Sequence, residues 1–303
     1  MRQNYFENAH LELTTILDYL RWAMSLFCEA KLHYGHGTDN PWDEAVALIL
    51  PALHLPPDSD QRILGAHLTT IERERVVNIV RRRIEERMPV PYLTHQAWFA
   101  GLEFFVDERV LVPRSPIAEL IQNEFQPWIA ADRVSRILDL CTGSGCIAVA
   151  CAMAFPDAQV DATDISTDAL EVAQANIRHH HLEEQVHVMA SDLFAGLQGQ
   201  QYDVIVSNPP YVGLDEWRGL PREYFHEPQS ALVAQEDGLA LVMKILRNAR
   251  AHLTEHGILV VEVGNSADLL QERLPQVPFV WLEFETGEAE VFLLTAEQLR
   301  EIQ

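Results

Sequence analysis

Between residues 136 and 263 the chain alternates short apolar runs with longer amphipathic ones, and this rhythm restricts the fold more than any other feature. RILDLC (136–141), QVDATD (159–164), VHVMAS (186–191), YDVIVS (202–207) and GILVVEV (257–263) read as strands buried on both faces. Helical patterns lie between them at 145–155, 167–179 and 237–253. Such alternation predicts a mostly parallel, doubly wound α/β sheet. The end departs from it. VWLEFE (280–285) and EVFLLT (290–295) are joined only by a short Gly-containing turn, and two strands that close so tightly must run antiparallel. The expected fold class is α/β, Rossmann-like, with an antiparallel C-terminal hairpin.

Upstream, residues 1–88 read as a small helical domain. Leu13, Ile16, Leu17, Leu20, Met24 and Phe27 recur with the period of one helix. Asn40-Pro41 supplies an N-cap and a first helical residue for a second helix over 42–50, which Pro51, Pro56 and Pro57 break. Thr69 and Glu72 are spaced as a capping box for a third, over 70–87. That helix carries Arg73, Arg75, Arg81, Arg82, Arg83 and Arg87 among Glu72, Glu74, Glu85 and Glu86, which predicts a solvated face laced with i,i+4 pairs. Residues 89–115 are a Pro-rich link followed, from the alternation in WFAGLEFFVDERVLVP, by a β-hairpin. The expected division is therefore 1–88, 89–115 and 116–303.

The 303 residues include 22 Lys and Arg against 45 Asp and Glu, a net charge of −23. This balance disfavours tight non-specific binding of nucleic acid and favours a basic protein partner. Cys28, Cys141, Cys146 and Cys151 form no C-x-x-C pair and no zinc spacing, as expected of free buried thiols in a reducing compartment. No apolar run reaches the ~18 residues of a membrane span, and MRQNYFENAH lacks the apolar core of a signal peptide. A cytoplasmic location with no membrane partner is expected. His179, His180 and His181 are adjacent, do not share one helix face, and predict no metal site.

Two loops carry the chemistry. DLCTGSGCIAVA (139–150) ends the first strand and opens a helix. Gly143 and Gly145 permit a sharp turn and close backbone approach to a ligand, and the helix N-terminus beyond favours a negative group. Asp164 ends the next strand, where a carboxylate accepts from both hydroxyls of a ribose. Gly143, Gly145 and Ala148 also satisfy the dinucleotide fingerprint, so this loop alone leaves NAD and S-adenosylmethionine both open. Three features favour the second. Asp139 is placed to meet an amino-acid ammonium, Asp192 in SDLF (191–194) is placed to accept from an adenine amino group, and the closing hairpin is foreign to the dinucleotide fold.

The second loop is SNPPYVG (207–213). Pro209 and Pro210 continue neither a helix nor a central strand, and each pushes its predecessor into an extended conformation. Asn208 is thereby held stiffly at a strand end. Both prolines lack an N–H, so the corner is rich in acceptors and poor in donors. It suits a planar NH₂ group, which a glutamine amide, an adenine and a cytosine all present.

In order, D-x-x-x-G-x-G, a strand-end Asp, S-D-x-F and N-P-P-Y resemble the class I S-adenosylmethionine-dependent methyltransferases, and within them the HemK-type protein glutamine methyltransferases. FFVDERVLVPRSPIAELI (104–121) and HEPQSALVAQEDGL (226–239) match the same family in order, so the resemblance covers nearly the whole chain. It implies S-adenosyl-L-methionine as cofactor, no metal, and methylation of a glutamine side-chain amide nitrogen. It makes 116–303 the methyltransferase domain and 1–88 the substrate-recognition domain. Carried onto this sequence, it implies a cofactor site at Asp139, Cys141, Thr142, Gly143, Ser144, Gly145, Asp164, Ile165, Asp192, Leu193 and Asn208. It implies a catalytic corner at Asn208, Pro209, Pro210 and Tyr211, with Arg114 and Glu227 shaping the substrate's way in. PRSPIAE (113–119) departs from the P-R-P-x-T-E of the release-factor branch. With CTGSGCIA, VEVGNS and WLEF, it is similar to the branch that modifies large-subunit ribosomal protein three. Leu193 stands where release-factor enzymes often carry an aromatic, and it packs against adenine in this reading. Release-factor methylation and adenine methylation in nucleic acid are the alternatives. The acidic balance opposes the latter, and ribosomal RNA enters only as a neighbour of the protein substrate.

Overall fold

The computed structural model describes residues 6–285 and 290–302. The chain divides into two compact units, one running to Gln96 and including Pro221–His226, the other built from Ala97–Leu220 and the residues from Glu227 onward. The β-hairpin thus belongs to the second unit, and a six-residue segment far along the chain belongs to the first.

The first unit is built on α1 (Ile16–Ala30), α2 (Pro41–Ala52) and α3 (Thr70–Glu85). Each starts on a side-chain cap. Thr15 and Asp18 form a capping box, Asn40 accepts from the Trp42 and Asp43 N–H groups, and Thr69 and Glu72 form a second box. Because the Thr15 cap starts α1 at Ile16, its buried face is Ile16, Tyr19, Leu20, Ala23 and Phe27. Leu13 precedes the helix, and Leu17, one position round from Ile16, is exposed, so the apolar stripe differs from the one expected. Pro51 sits inside the last turn of α2, which runs on to Ala52.

The arginines of α3 do not make the solvated face that their spacing predicts. Val76 and Val80 set a buried i, i+4, i+7 stripe whose next member is Arg83, and it is 1% exposed. Its guanidinium meets Glu44 at 2.7 Å, Glu223 at 3.4 Å and the His33 carbonyl at 3.0 Å. Arg87 reaches Glu223 at 3.2 Å and the Ala30 carbonyl at 2.6 Å. Arg73 and Arg75 donate to the Leu68 and Ala52 carbonyls. Arg82 and Glu86 form an i,i+4 pair of the kind expected. A charge at a core position is tolerated when carboxylates pair with it.

The second unit opens with the hairpin β1 (Ala97–Phe99) and β2 (Leu102–Phe104). Then come β3 (Arg136–Leu140), α4 (Cys146–Ala154), β4 (Gln159–Asp164), α5 (Thr167–His179), β5 (Val186–Ala190) and β6 (Tyr202–Ser207). They are followed by α6 (Ala240–His252), β7 (Leu253–Gly264), β8 (Val280–Leu282) and β9 (Glu290–Thr295). The seven-stranded sheet has the order β5-β4-β3-β6-β7-β9-β8. Its first five strands are parallel, β9 runs antiparallel to β7, and β8 antiparallel to β9. This is the α/β sheet with an antiparallel end that the sequence predicts; the Gly-containing turn between β8 and β9 lies outside the described residues. Apolar side chains cover both faces, from α4 with Ile117 and Ile121 on one and from Val242, Ile245, Leu246 and Ala249 of α6 on the other.

The winding reverses between β3 and β6, and open α/β sheets offer a crevice at such a point. There Leu140 stands opposite Ser207, whose hydroxyl donates to the Leu140 carbonyl at 2.8 Å. The cofactor-type loop and the N-P-P-Y corner therefore leave the sheet side by side. Cys146 and Cys151 are buried and Cys141 half-buried, but Cys28 is exposed on α1, against the expectation of four buried thiols. Among the described residues no helix is long and apolar enough to cross a membrane.

Candidate functional site

A cavity of about 380 Å³ lies at the C-terminal ends of β3, β4, β5 and β6. Arg114, Cys141, Thr142, Gly143, Ser144, Asp164, Ile165, Asp192, Leu193, Asn208 and Pro210 line it. Of the other expected residues, Asp139, Gly145, Pro209, Tyr211 and Glu227 do not reach its wall.

The loop after β3 turns through left-handed conformations at Cys141, Gly143 and Gly145 (φ 61°, 55° and 79°). A Cβ on Gly143 would meet nothing within 4 Å, so backbone is presented bare to the cavity there. A Cβ on Gly145 would stand 3.1 Å from that of Ala173, where α5 crosses the loop. Behind the loop Asp139 is fully buried. One of its oxygens accepts from the Thr142 hydroxyl at 2.5 Å and the Ala148 N–H at 3.1 Å, while the other has no partner among the described residues. Burial raises this carboxyl to about 7, against the two hydrogen bonds that lower it. An unsatisfied buried acceptor is costly, so this oxygen calls for a donor that the described residues do not supply.

Asp164 braces the same loop. Its two oxygens accept the Gly143 N–H at 3.0 Å and the Ser166 N–H at 2.9 Å. Burial raises its pKa, with these bonds opposing. A carboxylate oxygen has more than one acceptor site, so capacity for hydroxyl donors remains. Asp192 stands exposed on the rim, Leu193 is buried with φ 50°, and the apolar side chain of Ile165 is 72% exposed beside the cavity.

Asn208 follows β6 directly. Its side-chain amide and the Pro209 carbonyl have no hydrogen-bond partner among the described residues. Tyr211, half-buried and off the cavity wall, donates its hydroxyl to Glu262 at 2.8 Å. Arg114 and Glu227, expected near the substrate, pair with each other in a bidentate bridge of 2.7 and 2.9 Å, and Glu227 also accepts the Val112 N–H at 3.1 Å. His180 contacts the Glu103 carbonyl at 2.8 Å. Among the described residues no group of three or more His, Cys, Asp or Glu is placed to hold a metal ion.

Two residues that touch this corner carry no role in the sequence reading, Glu262 of VEVGNS and Ser115 of PRSPIAE. Their only signal is that GILVVEVG places one acid in an otherwise apolar strand.

Comparison with known proteins gives three findings. Residues 124–235 match the Methyltransferase small domain family. A ribosomal protein uL3 glutamine methyltransferase from Francisella tularensis is 48% identical over 98% of this chain and 94% of its own, and one from Neisseria gonorrhoeae is 52% identical over 97% and 98%. The hMettl16 catalytic domain, solved with the MAT2A 3'UTR hairpin 6, aligns with a TM-score of 0.52 over 74% of this chain and 81% of that one. At 18% identity that likeness speaks for the fold alone.

Proposed function

Since the chain belongs to the family of ribosomal protein uL3 glutamine methyltransferases, we propose that it methylates the side-chain amide nitrogen of a glutamine in ribosomal protein uL3, with S-adenosyl-L-methionine as donor. The observation that carries the reading is the corner after β6, where Asn208 lines the same cavity as the glycine loop and where, among the described residues, neither its side-chain amide nor the Pro209 carbonyl has a hydrogen-bond partner. In this reading Asp139 takes the methionine ammonium, Asp164 the ribose, and Asp192, Leu193 and Ile165 the adenine. Cys141, Thr142, Gly143, Ser144 and Gly145 shape the bed between them.

The cofactor supplies an electrophilic methyl group on a sulfonium. The residues of the chain must make a poor nucleophile attack it, because an amide lone pair is delocalised into its carbonyl. The Asn208 side-chain oxygen accepts one N–H of the substrate amide and the Pro209 carbonyl the other. Pro210 has no N–H to compete for that carbonyl. Tyr211 serves this corner through its hydroxyl, which on Glu262 holds the N-P-P-Y turn in place. Two fixed acceptors favour the nitrogen on which positive charge develops over the flat ground state, which is differential stabilisation of the transition state. No base is needed before attack, since the methylated nitrogen sheds its proton afterwards.

The two units hold equal numbers of Lys and Arg, but the second holds about twice as many acids, so the acidic excess lies mainly on the unit with the cavity. That suits a basic protein substrate rather than nucleic acid. We place recognition of the rest of uL3 on the helical unit, and the enzyme in the cytoplasm, with ribosomal RNA only a neighbour of its substrate. Labelled S-adenosylmethionine, unmodified uL3 and ribosomal RNA test the reading. Label should enter uL3 at a glutamine, and Asn208→Ala should slow transfer by roughly 10²–10³-fold while keeping cofactor affinity. Label in RNA, or in a release factor but not uL3, overturns it.

A further inference from the structure

Tyr211 is clamped on three sides. Its hydroxyl donates to one oxygen of Glu262 at 2.8 Å. Its ring lies so close to Gly264 that a Cβ there would stand 2.3 Å from Cε2, and its carbonyl lies so close to Gly238 that a Cβ there would stand 1.9 Å away. The other oxygen of Glu262 meets the Ser115 hydroxyl. Ser115 Oγ accepts the Ile117 N–H at 3.2 Å, which leaves its own proton for the carboxylate. Glu262 thus receives two hydroxyl donors, one from PRSPIAE and one from N-P-P-Y, although these motifs lie about a hundred residues apart.

Glu262 is an odd residue for its place. It is 2% exposed in β7, a strand otherwise apolar from Gly257 to Gly264. The nearby Arg114 has both arms on Glu227. A buried glutamate that meets no direct cation among the described residues is a cost to folding that an apolar residue would avoid. Its one evident use is to fix the tyrosine.

Building on the methyl-transfer reading, we propose that Glu262 is the positioning residue of the N-P-P-Y corner. As a carboxylate held by Ser115, it accepts the Tyr211 hydroxyl and so fixes the corner that carries Asn208 and Pro209. Protonation would put an O–H where one of the two hydroxyls now donates, so one bond would have to reverse or break and the corner would lose its anchor. Burial pushes the Glu262 carboxyl up, with Ser115, Tyr211 and Arg114 opposing. Transfer should therefore fail on the acid side at a pH above the ordinary carboxylate range. The charged and titratable groups around it are Tyr211 on the corner, Arg114 on the segment before the sheet and Glu227 bridged to that arginine. On the neighbouring β9 stands Glu290, which accepts the Ala267 N–H at 3.2 Å.

The test is the pH profile of kcat for labelled-methyl transfer to unmodified uL3, with cofactor affinity measured in parallel. Glu262→Gln and Tyr211→Phe should each lower kcat about 10- to 100-fold, as loss of one charge-assisted hydrogen bond would, with little change in affinity for S-adenosylmethionine. The double variant should be no worse than the poorer single, because both break the same link. Glu262→Gln should also lose the acid limb. Ser115→Ala, which removes a donor from the carboxylate without touching Tyr211, should move that limb to higher pH, and this variant decides the matter if Glu262→Gln does not fold. Wild-type protein that moves no methyl group to uL3 overturns the methyl-transfer reading and this proposal with it. Wild-type transfer with an unchanged kcat and acid limb in Glu262→Gln, or an unmoved limb in Ser115→Ala, overturns the proposal alone.

Discussion

Glu223 in the first unit and Glu262 in the second are each 2% exposed, yet their carboxyls are displaced in opposite directions. Burial pushes both up, and more strongly at Glu262, which lies deeper in the protein. At Glu223 it is outweighed by the His33 N–H at 3.1 Å and by the guanidinium groups of Arg83 and Arg87, so the net shift is downward. Glu262 receives two neutral hydroxyls and feels one cation already engaged elsewhere, so burial wins and the shift is upward. A buried acid ringed by cations is locked in one charge state and serves as a structural tie. A buried acid held by hydroxyls is instead raised above the ordinary carboxylate range, a direction that a site can use.

The largest expected effect tests the structural half of this contrast. Glu223→Gln leaves Arg83 and Arg87 short of a carboxylate in a buried setting, and should cost about 3–5 kcal/mol in urea unfolding of the full chain. Glu262→Gln removes a charge that burial disfavours, and should change stability by no more than about 1 kcal/mol in either direction. The pH dependence separates them further. Glu223 has a lowered folded pKa, so its contribution is present above the ordinary carboxylate pKa and fades as pH falls through the folded value. Glu262 has a raised one, so its contribution is present in acid and lost as pH rises through the folded value. Equal losses in the two variants at neutral pH would break the comparison.

The same contrast explains what could be read from sequence. The parallel strands were legible because burial on both faces leaves a continuous apolar run, and the starts of α2 and α3 because Asn40-Pro41 and Thr69–Glu72 act within one turn. That Gly143, Asp164 and Asn208 meet at one cavity was legible for a related reason, since a strand end fixes each one's position with little help from distant chain. Arg83 was not, because its carboxylates come from Glu44 and from Glu223, 140 residues away. Nor was the link from Ser115 through Glu262 to Tyr211, whose members meet only after the sheet forms. The segment Pro221–His226 joins the helical unit across a long sequence gap, and spacing alone carries no trace of that.

Asp139 supplies the intermediate case, with a hydroxyl and a backbone N–H on one oxygen and, among the described residues, no donor on the other. Burial holds it near neutrality, at about 7. If its ionised form takes the cofactor ammonium, affinity for S-adenosylmethionine should fall as pH drops below about 7. Asp139→Asn should bind roughly 10- to 100-fold more weakly at pH 8, in line with loss of a charge-assisted contact, and should lose most of that pH dependence. Because the folded pKa is raised, the wild-type carboxyl contributes stability in acid that is lost as pH rises through about 7. The cofactor-free variant should therefore be no less stable than wild type at alkaline pH. Calorimetric titration at pH 6 and 8 checks the first point and thermal unfolding the second.

The smallest effect asks whether cations are needed at all for a lowered acid. Asp18 has none. It receives the Thr15 N–H at 2.8 Å, the Thr14 N–H at 3.0 Å and the Thr14 hydroxyl at 3.2 Å, and is lowered to about 2. Backbone donors at the start of α1 suffice there because burial opposes them only weakly. What separates Asp18 from Glu262 is then the balance between donors and desolvation, with cations as one way to tip it. Asp18→Asn keeps an acceptor but loses the charge, and should cost about 1 kcal/mol, the usual scale of a capping contact. The wild-type advantage should be full above the ordinary carboxylate pKa and shrink as pH falls toward about 2. Urea unfolding of both proteins at pH 7 and pH 3 reads that gap. A gap that stays constant between the two would mean that the capping geometry, and not the ionised carboxylate, supplies the stability.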